Sequence, residues 1–304
     1  MFTARNKGRL AIGAAAVGAV LALSGCATGD PLDPDTGSDA PDDTIVVGSQ
    51  AYYSNEIIAE IYAQALENAG FDVDRQFQIG QRDAYLPALE GGEVDLFPEY
   101  TGNLLQFYDS ETTATLPDEV YSELQGVLPD GLTVLDMSPA TDQDSYNVTD
   151  AFSQEHGLTS LADLAGVDTE LILGGAPELE ERPYGPRGLS EVYGAAVQFS
   201  ATGDTTVDAL LEGVVNIANV FSADPRIQTE GLVTLEDPEG LFLASNVVPL
   251  VNAEVADDVA DVINAVSAEL TAEGLVALNV QSTVDQVSSE DIAEQWLTET
   301  GLLD

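Results

Sequence analysis

From Thr44 onward, the sequence alternates short β-rich runs with amphipathic helices. The first unit is typical: residues 45–47 form a predicted strand, and Ser54 is placed to cap a helix whose apolar residues share one face until Gly70. Further strands are predicted at 71–79, 94–97, 132–135, 170–173, 215–221 and 244–251. Further helices are predicted at 84–90, 101–108, 118–128, 205–211 and 253–272. This alternation favours an α/β fold with mostly parallel sheets.

Residues 1–25 have the layout of a secretory signal. Basic residues at positions 5, 7 and 9 precede the apolar run Leu10–Leu23, and the segment Leu23-Ser24-Gly25-Cys26 is typical of a bacterial lipobox. Cys26 would then carry a lipid and anchor the chain on the extracytoplasmic face of the cell membrane. An uncleaved membrane span is the alternative, but an apolar run of about 14 residues is short for a span, which needs roughly 20.

The chain is strongly acidic. It has 54 Asp and Glu residues against 8 Lys and Arg, a formal net charge of −46. Residues 26–43 are rich in Pro, Gly and Asp, which predicts a disordered acidic linker. Because the charge repels nucleic acid and anionic lipid headgroups, we expect neither as a partner. Adaptation of the surface to high salt is a second interpretation of the same acidity.

Recognisable enzymatic signatures are scarce. With Cys26 lipidated, no thiol is left for a disulfide, a thiolate metal site or a nucleophile. His156 is the one histidine, in a helical stretch at 151–157, and no Gly-x-Ser-x-Gly elbow or phosphate loop accompanies it. We therefore predict no enzymatic activity, no cofactor and no metal site. A surface-anchored hydrolase that uses His156 is the rival hypothesis.

Two segments repeat one local pattern. Leu89-Glu90-Gly91 leads into a predicted strand and then Tyr100, and Leu211-Glu212-Gly213 leads into another strand and then Phe221. In open α/β sheets, ligands bind beyond the carboxyl ends of the strands. Two facing lobes would therefore form a cleft with an aromatic residue on each wall. A common local pattern without functional meaning explains the repeat equally well.

Arg182 stands out because basic residues are so few. It lies at a predicted helix end before Pro183, where a guanidinium could hold a ligand carboxylate through two hydrogen bonds. An ion pair with Glu178 or another nearby acid is the simpler interpretation. Tyrosines also gather near predicted strand ends, where their faces could bind a quaternary ammonium or could pack as half-buried residues. These tyrosines are Tyr52, Tyr53, Tyr100 and Tyr146.

An ordered set of motifs resembles a known family. The motifs are Val46-Val47-Gly48-Ser49, a helix at 56–65, Pro87-Ala88-Leu89, the segment Asp95-Leu96-Phe97-Pro98-Glu99-Tyr100-Thr101-Gly102, and the segments 174–186, 203–206 and 221–227. Together they resemble the substrate-binding proteins of osmoprotectant ABC importers, which take up glycine betaine, choline or carnitine. The Pro-Glu-Tyr-Thr-Gly stretch, in the right order with the others, is the most specific part of this resemblance.

The resemblance implies a two-lobed α/β fold of the type II periplasmic-binding-protein kind. Two mixed, mostly parallel sheets would be joined by a hinge, with the ligand cleft between the lobes. Lobe 1 would combine residues 44–143 with 246–304, and lobe 2 would span 144–245. The protein would act as a monomer that binds a small molecule and delivers it to an ABC permease in the membrane.

The resemblance also implies a ligand site. In this family, aromatic rings enclose the cationic head of the ligand, and basic or polar groups hold its carboxylate. Tyr100 and Tyr146 match box tyrosines of the family, Phe221 replaces a third, and Arg182 matches the carboxylate-binding arginine.

Three positions depart from the family pattern. Gln50 stands where many relatives have lysine, and Asn103 stands where threonine is common. Ser245 falls near the place of a fourth box tyrosine, so Tyr52 or Tyr53 would have to complete that wall. These departures leave a differently shaped cation or a neutral polar solute open as the ligand.

Overall fold

Ten strands form two five-stranded sheets in the part of the chain that the structure, a computed structural model, describes. That part comprises residues 44–80 and 82–303, without the side chains of Glu178 and Asp204. The predicted signal segment, Cys26 and the predicted linker lie outside it. The strands are β1 (Thr44–Gly48), β2 (Asp72–Gln76), β3 (Leu96–Tyr100), β4 (Leu132–Val134), β5 (Asp144–Thr149), β6 (Leu171–Gly175), β7 (Val197–Ala201), β8 (Ile217–Phe221), β9 (Leu232–Thr234) and β10 (Val247–Asn252).

Eleven α-helices lie around the sheets in the same described residues. They are α1 (Tyr53–Ala69), α2 (Arg82–Glu90), α3 (Thr101–Tyr108), α4 (Pro117–Val127), α5 (Asp150–His156), α6 (Pro186–Tyr193), α7 (Thr206–Leu211), α8 (Arg226–Thr229), α9 (Ala256–Glu269), α10 (Ala272–Thr283) and α11 (Ser289–Thr300). Short 3-10 helices lie at Leu161–Gly166, Pro177–Glu181 and Gly203–Thr205. None of the helices in the described residues has both the length and the apolar character needed to cross a membrane.

Both sheets have the same topology. The first sheet has the order β2-β1-β3-β10-β4, and the second has the matching order β7-β6-β8-β5-β9. In each sheet the fourth strand, β10 or β5, is antiparallel to both of its neighbours, and the other two pairings are parallel. Four strand pairings of the described residues are parallel and four are antiparallel, so parallel pairing does not predominate, although the alternation of strands and helices predicts that it should. Parallel neighbours in one sheet need a crossover connection, whereas β5 and β10 each arrive from the other sheet and are free of that constraint.

Two chain segments connect the sheets. Residues 135–143 lead from β4 to β5, and residues 235–246 lead back from β9 to β10. These two crossing segments lie side by side and are joined by a hydrogen bond, in which the amide of Asp142 donates to the carbonyl oxygen of Ser245 at 3.1 Å. The predicted lobe boundaries fall at the ends of the crossing segments. The division into two lobes that move relative to one another stays a prediction.

Each sheet has its own apolar core. In the first core, α1 is buried along most of its length and contacts α9 and α11 on its outer side. Burial is not confined to the predicted apolar face: Ile57 and Ile61 on that face are fully buried, and so is Ala59 on the opposite side of the helix. The second core lies around β5, β6 and β8 and includes Tyr146.

The start of α1 differs from the prediction. The helix begins at Tyr53, and Tyr52 occupies the N-cap position with extended backbone and no side-chain cap. Ser54 is buried inside the first turn, and its hydroxyl has no hydrogen-bond partner in the described residues. The prediction that Ser54 caps this helix is therefore wrong. Tyr52 packs against the first core, so that tertiary packing sets the start of the helix.

Candidate functional site

A cavity of about 470 Å³ lies between the two sheets, beside the crossing segments. This volume is within the range of about 300–1,000 Å³ that is usual for small-molecule sites. Its lining comes from the start of α3 and the chain after it, from the residues that follow β6 and β8, and from both crossing segments. A ligand in this cavity would therefore contact both halves of the fold.

The first wall of the cavity is formed by α3. This helix begins where β3 ends, because Tyr100 is both the last strand residue and the N-cap. Gly102 lets the first turn lie against a crossing segment, since a Cβ at this position would be 2.4 Å from the carbonyl oxygen of Ala244. Asn103 and Gln106 line the cavity with amide side chains. These groups can donate or accept hydrogen bonds but carry no charge.

The opposite wall carries aromatic rings. Phe221 ends β8 and is 58% exposed at the cavity. Tyr184 and Phe242 also line the cavity, with ring centroids 5.6 Å apart. The buried Tyr146 supports both of them: its ring centroid is 4.9 Å from that of Phe242, and its hydroxyl donates to the carbonyl oxygen of Tyr184. The faces of such rings can bind a cation.

Arg182 lines the cavity together with these rings. Among the described side chains, Arg182 has no hydrogen-bond or ion-pair partner. The ion pairs of the described residues are formed by Arg75, Arg82 and Arg226. The side chain of Glu178, its predicted alternative partner, lies outside the described residues. A guanidinium presents paired N–H groups that match a carboxylate.

The floor of the cavity is formed by three residues of the crossing segments, Asp142, Gln143 and Ser245. The side-chain oxygen of Gln143 accepts a hydrogen bond from the amide of Ser245 at 2.7 Å. Ser245 is 2% exposed, and its hydroxyl has no hydrogen-bond partner among the described residues. Burial and the negative charge of Asp224 raise the pKa of Asp142 to about 6. The floor therefore offers one unpartnered hydroxyl and one carboxylate.

Four of the predicted site residues line the cavity, and the two predicted box tyrosines do not. The four are Asn103, Arg182, Phe221 and Ser245. Tyr100 and Tyr146 are 2% and 0% exposed and belong to the first and second cores. Tyr146 supports the aromatic wall from behind. The role of each of these residues as a ligand contact stays a prediction.

Gln50 and Tyr52 lie beside the first core and do not line this cavity. The side-chain nitrogen of Gln50 is 3.5 Å from the hydroxyl of Tyr85. That hydroxyl donates to the fully buried carboxylate of Glu99, which also accepts hydrogen bonds from Arg82 at 2.7 and 2.8 Å. Gln50 is thus next to a buried ionic group of the first half of the fold, and burial raises the pKa of Tyr52.

The lining residues that the sequence reasoning misses include Asp142, Tyr184 and Phe242. Tyr184 is two residues after Arg182, in the segment 174–186 that resembles the family, and this proximity was a signal that could have identified it. Asp142 and Phe242 lie in or beside the crossing segments, which have little regular secondary structure. No periodic pattern marks such positions.

His156 does not line the cavity. It lies in the last turn of α5, where its ring centroid is 4.5 Å from that of Phe152. The histidine that the rival hydrolase hypothesis requires is therefore elsewhere. Among the residues that the structure describes, no group of three or more His, Cys, Asp or Glu side chains could hold a metal ion.

Comparison with known proteins identifies the family. Residues 43–299 match the substrate binding domain of the ABC-type glycine betaine transport system. The chain is 26% identical over 276 residues to the glycine betaine-binding protein YehZ of Escherichia coli, across 84% of this chain and 90% of that protein. It is 26% identical over 285 residues to a glycine-betaine-binding protein of Pseudomonas aeruginosa, across 86% and 89%.

The structural comparison agrees with the sequence comparison. The structure of apo YehZ from Escherichia coli matches with a TM-score of 0.76 and 25% identity, over 85% of this chain and 99% of that chain. This match confirms the predicted α/β fold with two sheets, and the family match confirms the predicted class of protein. The chain therefore belongs to the family of substrate-binding domains of ABC-type glycine betaine transport systems, and it is the extracytoplasmic binding component of an ABC importer, not an enzyme.

Proposed function

We propose that the cavity binds a quaternary ammonium osmoprotectant such as glycine betaine or choline. The observation that carries this proposal is a guanidinium, without an ion-pair partner among the described side chains, that lines one cavity with aromatic rings; the residues are Arg182, Tyr184, Phe221 and Phe242. Each well-placed ring attracts a quaternary cation by about 0.5–2 kcal/mol. The guanidinium would hold an attached carboxylate. Two relatives are themselves glycine betaine-binding proteins, which supports the same ligand class.

We also propose that ligand binding is linked to movement of the two lobes. Lobe 1 would comprise 44–143 and 246–304, lobe 2 would comprise 144–245, and the crossing segments would act as the hinge. A ligand between the walls contacts both lobes only when they are close together, so it favours the closed form. The closed form would then deliver the ligand to the permease.

The lipid anchor is a further part of this proposal. Cys26 would hold the protein, as a monomer, near its permease, and the acidic linker at 26–43 would give it reach. We expect Cys26→Ala to move the protein from the membrane fraction into the soluble fraction of the cells or the medium. Full retention of this variant in the membrane fraction would contradict anchoring through Cys26.

Isothermal titration calorimetry on the purified full-length chain tests the ligand class. The panel contains glycine betaine, choline, carnitine, ectoine and several amino acids, and we expect at least one quaternary amine to bind. Arg187→Met is the matched control for Arg182→Met, because Arg187 is an exposed residue of α6 that does not line the cavity. This variant should bind the same ligands as the wild type. If another kind of solute binds and no quaternary amine does, the ligand proposal is wrong.

A further inference from the structure

Asp142 is a carboxylate held at the floor of the cavity by the backbone on both sides. Its amide donates to the carbonyl oxygen of Ser245 at 3.1 Å, and the next amide, of Gln143, donates to the hydroxyl of Ser222 at 3.1 Å. Its half-buried side chain lines the cavity. Within residues 44–80 and 82–303, no donor or cation contacts this carboxylate. A charge removed from water without a partner is unfavourable, so this position calls for a partner from outside the chain.

The surroundings of Asp142 suit a cation. Three aromatic residues line the same cavity as its carboxylate: Tyr184, Phe221 and Phe242. The unpartnered hydroxyl of Ser245 is on the adjacent crossing segment. A cationic group in the cavity would therefore have a carboxylate and aromatic rings in the lining around it.

The other charged groups of the cavity have different situations. Asp144 accepts a hydrogen bond from the side chain of Asn219 at 3.0 Å, so its charge is already stabilised within the protein. Asp224, in the turn after β8, does not line the cavity; its charge adds to the raised pKa of Asp142, and its carboxylate accepts a hydrogen bond from the amide of Arg226 at 2.7 Å. Arg182 is on the aromatic wall. Asp142 is therefore the lining carboxylate that lacks a partner in the described residues.

We propose that Asp142 is the counter-charge for the cationic group of the ligand and a determinant of specificity for cations. This inference rests on the proposed function and deepens it. Aromatic rings alone also pack well against an uncharged group of the same shape. A carboxylate in a site of low dielectric constant distinguishes a cation from a neutral isostere by charge.

Binding should then depend on pH. Because the pKa of Asp142 is about 6, the carboxylate is ionised at higher pH and becomes protonated as the pH falls through that value. The phenols whose pKa values Asp142 helps to raise, those of Tyr52, Tyr53 and Tyr100, stay neutral over this range. Affinity for the cation should therefore fall in acid, and the association constant should pass the midpoint of its fall near pH 6, the pKa of Asp142 in the unliganded protein.

The test compares each quaternary amine with its tert-butyl analogue, in which carbon replaces the charged nitrogen. Calorimetry of the full-length chain at about pH 8 and constant salt would give both affinities for choline and for glycine betaine. In Asp142→Asn we expect the charged ligand to bind about tenfold or more weakly, and the neutral analogue to change by less than about twofold. Asp168→Asn, which removes an exposed acid that does not line the cavity, should change neither affinity.

Two further readouts separate a role in binding from a structural role. First, the affinity of Asp142→Asn for the cation should not fall between about pH 7 and 5, unlike that of the wild type. Second, a raised pKa means that the stability linked to this group is fully present below the unfolded pKa and is lost as the pH rises through about 6. Asp142→Asn should therefore raise the melting temperature of the unliganded protein at about pH 8, although it weakens binding.

Other outcomes would overturn the assignment. Equal losses of affinity for the charged ligand and its tert-butyl analogue would show that Asp142 supports the shape of the cavity. An affinity of the wild type that does not change in acid would show that Asp142 does not face the cation. If no quaternary amine binds at any pH, the proposed function itself fails, and this inference fails with it.

Discussion

The two sheets place an aromatic residue at the same point of the same topology, yet the two residues have opposite environments. Tyr100 ends β3 and Phe221 ends β8, which are the third strands of sheets with matching order. Tyr100 is buried in a core because α3 begins directly after it. After β8, a short turn precedes α8, and Phe221 stays exposed at the cavity. The chain that follows a strand thus decides whether its last residue packs or faces a ligand.

The arginines of the two halves show the same contrast. Arg82 is held by the buried carboxylate of Glu99 in the first half, where its charge serves the structure. Arg182, in the second half, has no such partner among the described side chains and lines the cavity. The same type of residue thus serves the structure in one half and lines the cavity in the other.

The largest expected effect is a difference in the free energy of unfolding between variants of Tyr100 and of Phe221. Tyr100→Ala should lower the free energy of unfolding by about 3–5 kcal/mol, because a large buried side chain leaves a cavity. Phe221→Ala should change it by less than about 0.5 kcal/mol, since Phe221 is exposed. Urea denaturation followed by circular dichroism measures both. Similar small changes in the two variants would show that Tyr100 is not a core residue.

The next effect concerns the buried ion pair. Arg82→Met leaves Glu99 buried without its cation and should destabilise the protein by about 3 kcal/mol. The double variant Arg82→Met with Glu99→Gln should recover part of this loss, because the unpaired charge is removed. Arg187→Met is the control and should stay within about 0.5 kcal/mol of the wild type. A loss in the control as large as that in Arg82→Met would contradict a specific role for the pair.

Arg182→Met should affect binding and not stability. We expect the affinity for glycine betaine to fall about thirtyfold, which corresponds to about 2 kcal/mol for a charge-assisted hydrogen bond. Choline, which has no carboxylate, should lose less than about threefold, so it serves as an internal control. Calorimetry measures both ligands. Equal losses for the two would show that Arg182 does not hold the carboxylate.

The smallest effect is that of a single ring. Phe221→Ala should weaken binding of a quaternary amine about fivefold, or about 1 kcal/mol, through the loss of one cation-π contact. Phe221→Tyr should restore most of the affinity, because the ring is kept. The control is Phe107→Ala, which removes an exposed ring of α3 that does not line the cavity. Full affinity in Phe221→Ala would exclude this ring from the site.

Several elements could be predicted from local sequence and several could not. The bounds of α3 agree with the predicted helix at 101–108. The helix α11 was missed although its signal is present, since the hydroxyl of Ser288 accepts from the amide of Asp291 as an N-cap. The strand β5 has a weaker signal because it carries polar residues such as Asn147, and its pairing with β8 and β9 makes it a strand.

Some residues of the candidate site could also be predicted from the sequence, and others could not. Motif order, through the resemblance to a family, placed Asn103, Arg182, Phe221 and Ser245, all of which line the cavity. The same motifs could not show that Tyr100 is buried, because burial depends on which helix covers it. They also gave no signal for Asp142, whose environment is made by residues distant in the chain.

By itself, the sequence determined the alternation of strands and helices and the scarcity of basic residues, which is what drew attention to Arg182. Both are local or compositional properties that no fold can change. Only the tertiary structure decided that Asp142 and Ser245 share one floor and that Phe221, not Tyr100, faces the cavity. Asp142 and Ser245 are about 100 positions apart in the chain and come together because the two crossing segments pack against each other. No local periodicity of the sequence can predict such a contact.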